Sequence, residues 1–158
     1  MALIEARLAA LGLMLPDTSH PPGGKITMRP AKRHGGLLYL SGNGPLLGGK
    51  PISQGKLGRE VSIEQGYAAA RLTGLNLLAV IRAELGDLDR VAYWVKSIGF
   101  INSAPGFNQQ PLILNGFSDL ILELYGEERG LHARSAVGMA ELPWDISVEI
   151  ETIVAITE

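Results

Sequence analysis

The residues best suited to chemistry are one arginine and two glutamates near the C-terminal end of the chain. Arg134 lies in the segment HARSAVGM, and Glu149 and Glu151 follow in SVEIE. If these segments pair as an antiparallel hairpin across the turn at LPWD, Arg134 lies about one cross-strand step from Glu149. An arginine fork binds a carboxylate of either a protein side chain or an acidic ligand. The pattern therefore predicts either a hairpin ion pair or a site for a small acid.

Two further polar residues are weaker candidates. Ser41 ends an apolar segment just before Gly42, where a hydroxyl can face a cleft beside closely approaching backbone. Serines at such positions more often satisfy turns. Asn115 shares the polar side of a predicted helix with Ser118 and Asp119, which is typical of a solvated face. Neither residue predicts a site by itself.

Other kinds of site find no support in the sequence, which predicts neither a cofactor nor a metal. The chain has no cysteine, and His20, His34 and His132 are too widely spaced, in predicted loops, to indicate a metal site or a catalytic triad. The glycine-rich GNGPLLGGK has no Ser or Thr after Lys50, as a nucleotide-binding loop requires, and is predicted to be a turn. The basic residues of 29–34 lack interleaved aromatic residues and indicate a solvated connection.

The elements that position these residues follow from hydrophobic periodicity and from turn signals. Ser62 and Gln65 form a predicted capping box that begins a long helix, and Gly86 ends it. A second helix begins near Gln109, tolerates Pro111 in its first turn and ends at Gly126. A short helix is expected within residues 2–14. The predicted strands cover residues 25–30, 37–41, 91–101, 133–141 and 146–156.

The order ββαβαββ predicts an α/β fold, a mixed sheet with both helices on one face, because each crossover is right-handed. The opposite face then has no cover. The segment 91–101 is apolar or small on both of its alternating sets of side chains, so the uncovered face should also be buried. The sequence therefore predicts a homo-oligomer.

Size and composition limit the remaining possibilities. The 158 residues predict a single domain over 1–158, with residues 1–24 as an N-terminal helix and loop arm and residues 25–158 as the core. The formal net charge of −2 does not favour nucleic acid or an anionic membrane. The N-terminal segment carries Glu5 and Arg7 where an export signal needs an unbroken apolar run, so a cytoplasmic location is expected.

Four segments together resemble one known family. They are LYLSGNGP, GDLDRVAYWVKSIGFINSAPGF, QPLILNGFSDLILELYGE and ARSAVGMAELPWDISVEIETIVA, and the last is the most specific. Their order and spacing resemble the RidA/YjgF family, in a branch with a longer N-terminal arm. The resemblance covers residues 37–156. It implies a chorismate-mutase-like fold and a homotrimer in which three sheets form a barrel, with active clefts between subunits.

The resemblance also implies a reaction and a set of site residues. RidA proteins hydrolyse reactive enamines and imines, of the 2-iminobutanoate and 2-iminopropanoate type, to 2-keto acids and ammonia. Arg134 matches the arginine that holds the substrate carboxylate, and Glu149 matches the glutamate that handles a water or a proton. Ser41, Gly42, Asn115 and Ala136 match residues that border the substrate.

Two departures from the family pattern concern the reaction itself. Ala136 replaces a frequent cysteine, and Met28 falls near the position of a cleft tyrosine of the deaminase branch. A non-catalytic trimer that binds small carboxylates is therefore an alternative to the deaminase. An endoribonuclease is a weaker alternative, because the acidic chain shows no phosphate-binding surface. Chorismate mutase is weaker still, because a shared fold does not transfer a reaction.

Overall fold

A mixed sheet of five strands is the centre of the computed structural model, which describes residues 3–17 and 27–157. The predicted order ββαβαββ is confirmed, with a short helix and a small hairpin added to it. The helices are α1 (Leu3–Ala10), α2 (Ile63–Leu85) and α3 (Gln110–Gly130), and the strands are β1 (Ala31–His34), β2 (Leu37–Asn43), β3 (Leu46–Leu47), β4 (Lys50–Pro51), β5 (Val91–Asn102), β6 (Ala133–Met139) and β7 (Val148–Ile156).

The strands lie in the order β1, β2, β7, β5, β6, so that β1 and β6 are the edges of the sheet. All neighbours are antiparallel except β5 and β6. That parallel pair is joined by α3, since parallel neighbours require a crossover connection. The strands β3 and β4 form a separate two-stranded hairpin within the glycine-rich segment.

The prediction that the last two strands form a hairpin is wrong. Strand β6 pairs with one side of β5, where Arg134 is the register partner of Ser97. Strand β7 pairs with the other side of β5, where Glu149 is the register partner of Phe100. The connecting residues 140–147 cross the end of β5 instead of turning tightly. Asn102 anchors them there, because its backbone N–H bonds the Ser147 carbonyl at 3.0 Å. The crossover through α3 then places β6 beside β5.

The first strand also lies later in the chain than expected. Residues 25 and 26 fall outside the described residues, residues 27–30 are irregular, and β1 begins at Ala31. The basic residues Lys32, Arg33 and His34, expected in a connection, therefore belong to a strand. Strands β1 and β2 form a hairpin across Gly35 and Gly36, both of which have a positive φ. Such a turn sets the register of the two strands.

Helix α2 begins and ends as the sequence predicts. Ser62 accepts a hydrogen bond from the Gln65 backbone, the Gln65 side chain accepts one from Ser62, and Gly86 caps the C-terminus in a left-handed conformation. Helix α3 instead continues past Gly126, which interrupts it with φ 73°, as far as Gly130. Both helices pack on the same face of the sheet. No helix among the described residues is long and apolar enough to cross a membrane.

The helices α2 and α3 approach most closely at a glycine. A Cβ atom on Gly116 would lie 2.0 Å from the carbonyl oxygen of Tyr67, a backbone atom that cannot move without shifting the helix. We therefore expect Gly116→Ala to lower the free energy of unfolding by about 1–3 kcal/mol. Urea unfolding measures this change, with Glu128→Ala, exposed on the same helix, as the control. An unfolding curve of Gly116→Ala that coincides with wild type would contradict the contact.

None of the described residues 3–17 and 27–157 covers the face of the sheet opposite the helices. Tyr39, Tyr93 and Val137 are 41%, 51% and 40% exposed there. Partly buried Ile98 and Phe100 lie between them on the same face. An apolar surface of this kind is unusual on a monomer. We refer to it as the open face.

Candidate functional site

Arg134 is fixed by helix α3 and not by Glu149. Its Nη1 donates to Ser118 Oγ at 2.9 Å, and its Nη2 donates to Asn115 Oδ1 at 2.7 Å and to the Pro111 carbonyl at 3.4 Å. Residues 111, 115 and 118 lie on one face of a helix, so a single helix face holds the guanidinium. These bonds use three of the five N–H groups of an arginine. The remaining donors can bind a ligand.

A histidine extends this polar cluster. His132 Nε2 lies 3.2 Å from Ser118 Oγ, and its Nδ1 lies 2.7 Å from the Gly130 carbonyl oxygen. Burial lowers the pKa of the His132 imidazole, the bond to Gly130 raises it, and the charge of Arg134 lowers it again. From the sequence, His132 was expected to serve neither in a metal site nor in a catalytic triad, and Ser118 was expected on a solvated helix face. The available signal was the two-residue spacing of His132, just before β6, and Arg134 within it, since extended backbone places such side chains on the same side.

Glu149 lies on the other face of the sheet. Its neighbours Val148 and Ile150 are fully buried on the helix side, so the Glu149 side chain points to the open face. Burial, and secondarily the charge of Glu151, raises the pKa of the Glu149 carboxyl. A Cβ atom on Gly42 would lie 2.0 Å from Glu149 Oε1, so the carboxylate occupies space that only a glycine leaves free.

A cleft of about 560 Å³ opens on the same face as Glu149. Ser41 lines it, beside a break in register between β2 and β7, and the Ser41 hydroxyl donates to the Arg29 carbonyl at 2.7 Å. Met28 lines the cleft as well. The charged residues that line the cleft are Arg29, Lys32, Lys96 and Glu151.

The expected site residues thus form two groups on opposite faces of one chain. Arg134 contacts Asn115, and half-buried Ala136 lies two residues along β6 on the same strand face. The other group consists of Glu149 on β7, two strands from β6, and of Ser41 and Gly42 on β2, three strands from β6. Within one chain the structure therefore does not bring Arg134 and Glu149 together. The first group lies at the edge strand β6, whose outer side pairs with no strand in the part of the chain that the structure describes.

Comparison with known proteins identifies the family. Over residues 5–149 the chain matches the family described as YjgF/chorismate mutase-like, putative endoribonuclease. It is 40% identical over 151 residues to the protein TCP17 of Trypanosoma cruzi, and the match covers 96% of this chain and 92% of TCP17.

Two crystal structures share the fold over nearly the whole chain. The protein Atu1372 of Agrobacterium tumefaciens, of unknown function, has a TM-score of 0.87 at 42% identity, over 98% of this chain and 92% of that one. A Shewanella oneidensis protein, described as a putative endoribonuclease, has a TM-score of 0.89 at 33% identity, over 97% and 99%. The chain therefore belongs to the YjgF/chorismate mutase-like family, the RidA/YjgF family that its C-terminal block resembles.

Proposed function

We propose that this protein hydrolyses small reactive imino acids, of the 2-iminopropanoate and 2-iminobutanoate type, to 2-keto acids and ammonia. The observation that carries the proposal is the guanidinium of Arg134, held by Ser118 and Asn115 with N–H groups to spare. A small imino acid has one fixed charge, its carboxylate. A planar guanidinium orients that carboxylate and leaves the imine carbon open to water.

Glu149 supplies the proton transfers in this proposal. Water adds its oxygen to the imine carbon, the imine nitrogen gains a proton, and the resulting carbinolamine releases ammonia to leave a 2-keto acid. A carboxylate takes a proton from the attacking water and returns it to the departing nitrogen. Burial and the charge of Glu151 raise the pKa of the Glu149 carboxyl. This supports the role, because a proton-transfer group works best when its pKa lies nearer to neutral pH.

The complete site forms between two subunits of a homotrimer in this proposal. Arg134 lies at edge strand β6 on the helix side, whereas Glu149 lies on the open face, so one chain contributes two half-sites. When the apolar open face packs against a neighbouring subunit, Arg134 of one chain comes close to Glu149 of another. Burial of that face also removes exposed apolar area from water.

A mixing experiment tests the shared site. Arg134→Ala and Glu149→Gln chains, each inactive alone, are refolded together in equal amounts. Random trimers contain an intact Arg134 opposite an intact Glu149 at about one quarter of their interfaces. We therefore expect about a quarter of the wild-type rate, and light scattering should give three times the mass of one chain. No recovery in mixed trimers would place both residues of a site in one chain.

The two departures from the family pattern favour a second candidate, a trimer that binds small carboxylates without turnover. Met28 lines the cleft and offers a thioether where the deaminase branch has a hydroxyl, and Ala136 offers only a methyl group. Both functions use Arg134. Calorimetry with pyruvate detects binding under either function, so turnover distinguishes the two.

The direct test of the reaction uses a reactive substrate that a second enzyme generates during the assay. A PLP-dependent dehydratase acting on serine releases 2-aminoacrylate, and pyruvate formation is followed with and without this protein. We expect faster pyruvate release at catalytic amounts of protein. Equal rates, even at stoichiometric amounts, would exclude the deaminase. A labelled RNA incubated in parallel tests the endoribonuclease in the family description, and it should stay intact because the chain carries a net charge of −2.

A further inference from the structure

We infer that His132 and Ser118 are positioning residues that hold Arg134 in place for its acidic ligand. They do so through a chain of hydrogen bonds in which each group, beginning with Arg134, donates to the next. The inference rests on the proposed carboxylate-binding role of Arg134. The chain runs from Arg134 Nη1 to Ser118 Oγ at 2.9 Å, then to His132 Nε2 at 3.2 Å. It ends where His132 Nδ1 meets the Gly130 carbonyl oxygen at 2.7 Å.

The proton positions follow from what each group can do. A guanidinium only donates, so Ser118 Oγ accepts from Arg134 and keeps its own hydrogen for the next bond. A carbonyl only accepts, so His132 Nδ1 carries a hydrogen and donates to Gly130. A neutral imidazole protonated at Nδ1 has a free lone pair at Nε2, which accepts the Ser118 hydroxyl. Each of these bonds then has a donor and an acceptor.

The surroundings of His132 favour this neutral form. The Phe117 ring of helix α3 packs edge-to-face against the imidazole, with ring centroids 5.4 Å apart. Arg134, on strand β6, is the charged side chain that acts on it. Burial and this positive charge both lower the pKa of His132, and the ring therefore stays neutral at neutral pH.

This chain of hydrogen bonds affects how well Arg134 can bind a carboxylate. A serine hydroxyl rotates freely, and its acceptor lone pairs face Arg134 only when its hydrogen is directed elsewhere. His132 Nε2 directs that hydrogen away from the guanidinium. Loss of the imidazole acceptor frees Ser118 to rotate, so that Asn115 and Pro111 alone hold the guanidinium. The remaining N–H groups of Arg134 are then less well ordered for a carboxylate.

Four variants test this coupling by calorimetry with pyruvate. His132→Leu and Ser118→Ala should each weaken binding by about threefold to tenfold, the usual effect of one hydrogen bond. The double variant should weaken it no further, because both residues act through the same chain. His132→Gln, which offers Oε1 near the place of Nε2, should recover most of the affinity. His34→Leu, an exposed histidine of β1, is the matched control and should bind as wild type.

Two outcomes of the binding experiments would overturn the inference. One is unchanged affinity in folded His132→Leu, and the other is losses that simply add in the double variant. Nitrogen NMR of His132 provides a readout that needs no ligand, with protonation expected at Nδ1 and not at Nε2 near pH 7. Protonation at Nε2 would refute the chain even if Arg134 binds pyruvate. The expected tautomer together with no pyruvate binding by wild type would instead refute the carboxylate-binding role of Arg134, on which the inference rests.

Discussion

Arg134→Ala should weaken the binding of pyruvate by roughly thirtyfold to a thousandfold, which corresponds to about 2–4 kcal/mol. The physical reason is that the guanidinium supplies both the charge and the donors for the ligand carboxylate. The same change should abolish measurable release of pyruvate from 2-aminoacrylate. Calorimetry and the coupled dehydratase assay measure the two effects.

Two controls separate this effect from damage to the fold. Arg33→Ala removes an exposed arginine that pairs with Glu84 at the opposite edge of the sheet, and it should bind pyruvate as wild type. Arg134→Lys keeps the charge but loses the planar fork, so its affinity should lie between those of wild type and Arg134→Ala. If Arg134→Ala binds pyruvate as tightly as wild type, Arg134 does not hold the carboxylate.

Glu149→Gln should lower the turnover of 2-aminoacrylate by about a hundredfold to ten-thousandfold while leaving pyruvate affinity nearly unchanged. The amide has the shape of the carboxyl group but takes up no proton from the attacking water. A change confined to turnover indicates a group that acts in the chemical step. A wild-type rate in Glu149→Gln would assign the proton transfers to another residue.

The stability of Glu149→Gln provides an internal control. Burial, and after it Glu151, raises the pKa of Glu149 above its ordinary value of 4.5, so folding favours the protonated carboxyl. The folded protein loses stability as the pH rises through that ordinary value to the raised one, and this loss persists at neutral pH. Glutamine carries no charge, so the variant should melt at a higher temperature than wild type at pH 7. The difference should vanish below about pH 4.

Glu151→Gln is the matched control on the same strand. Glu151 also faces the open face, and its charge contributes to the raised pKa of Glu149. Its removal should shift the acidic limb of the pH–rate profile to lower pH and keep most of the turnover. An equal loss of turnover in both variants would show that the two carboxylates act as a pair.

The sequence could name the candidate site residues but could not predict how they are arranged. Arg134 and Glu149 were identified from the expected pairing of their two segments and from the family resemblance of the C-terminal block. Their expected proximity failed because a short connection suggested a hairpin, whereas residues 140–147 cross the end of β5. The contact between Ser118 and His132 was not predicted, because it depends on how α3 lies against β6.

The sequence by itself determined the features that depend on neighbouring residues. The capping box of Ser62 and Gln65, the left-handed cap at Gly86 and the alternation of β7 are such features, because backbone donors and side-chain periodicity act over a few residues. Only the tertiary structure decided that β5 separates β6 from β7 and that Arg134 and Glu149 lie on opposite faces. Strand order is decided by crossover handedness and by burial among segments distant in the chain, which local patterns do not specify.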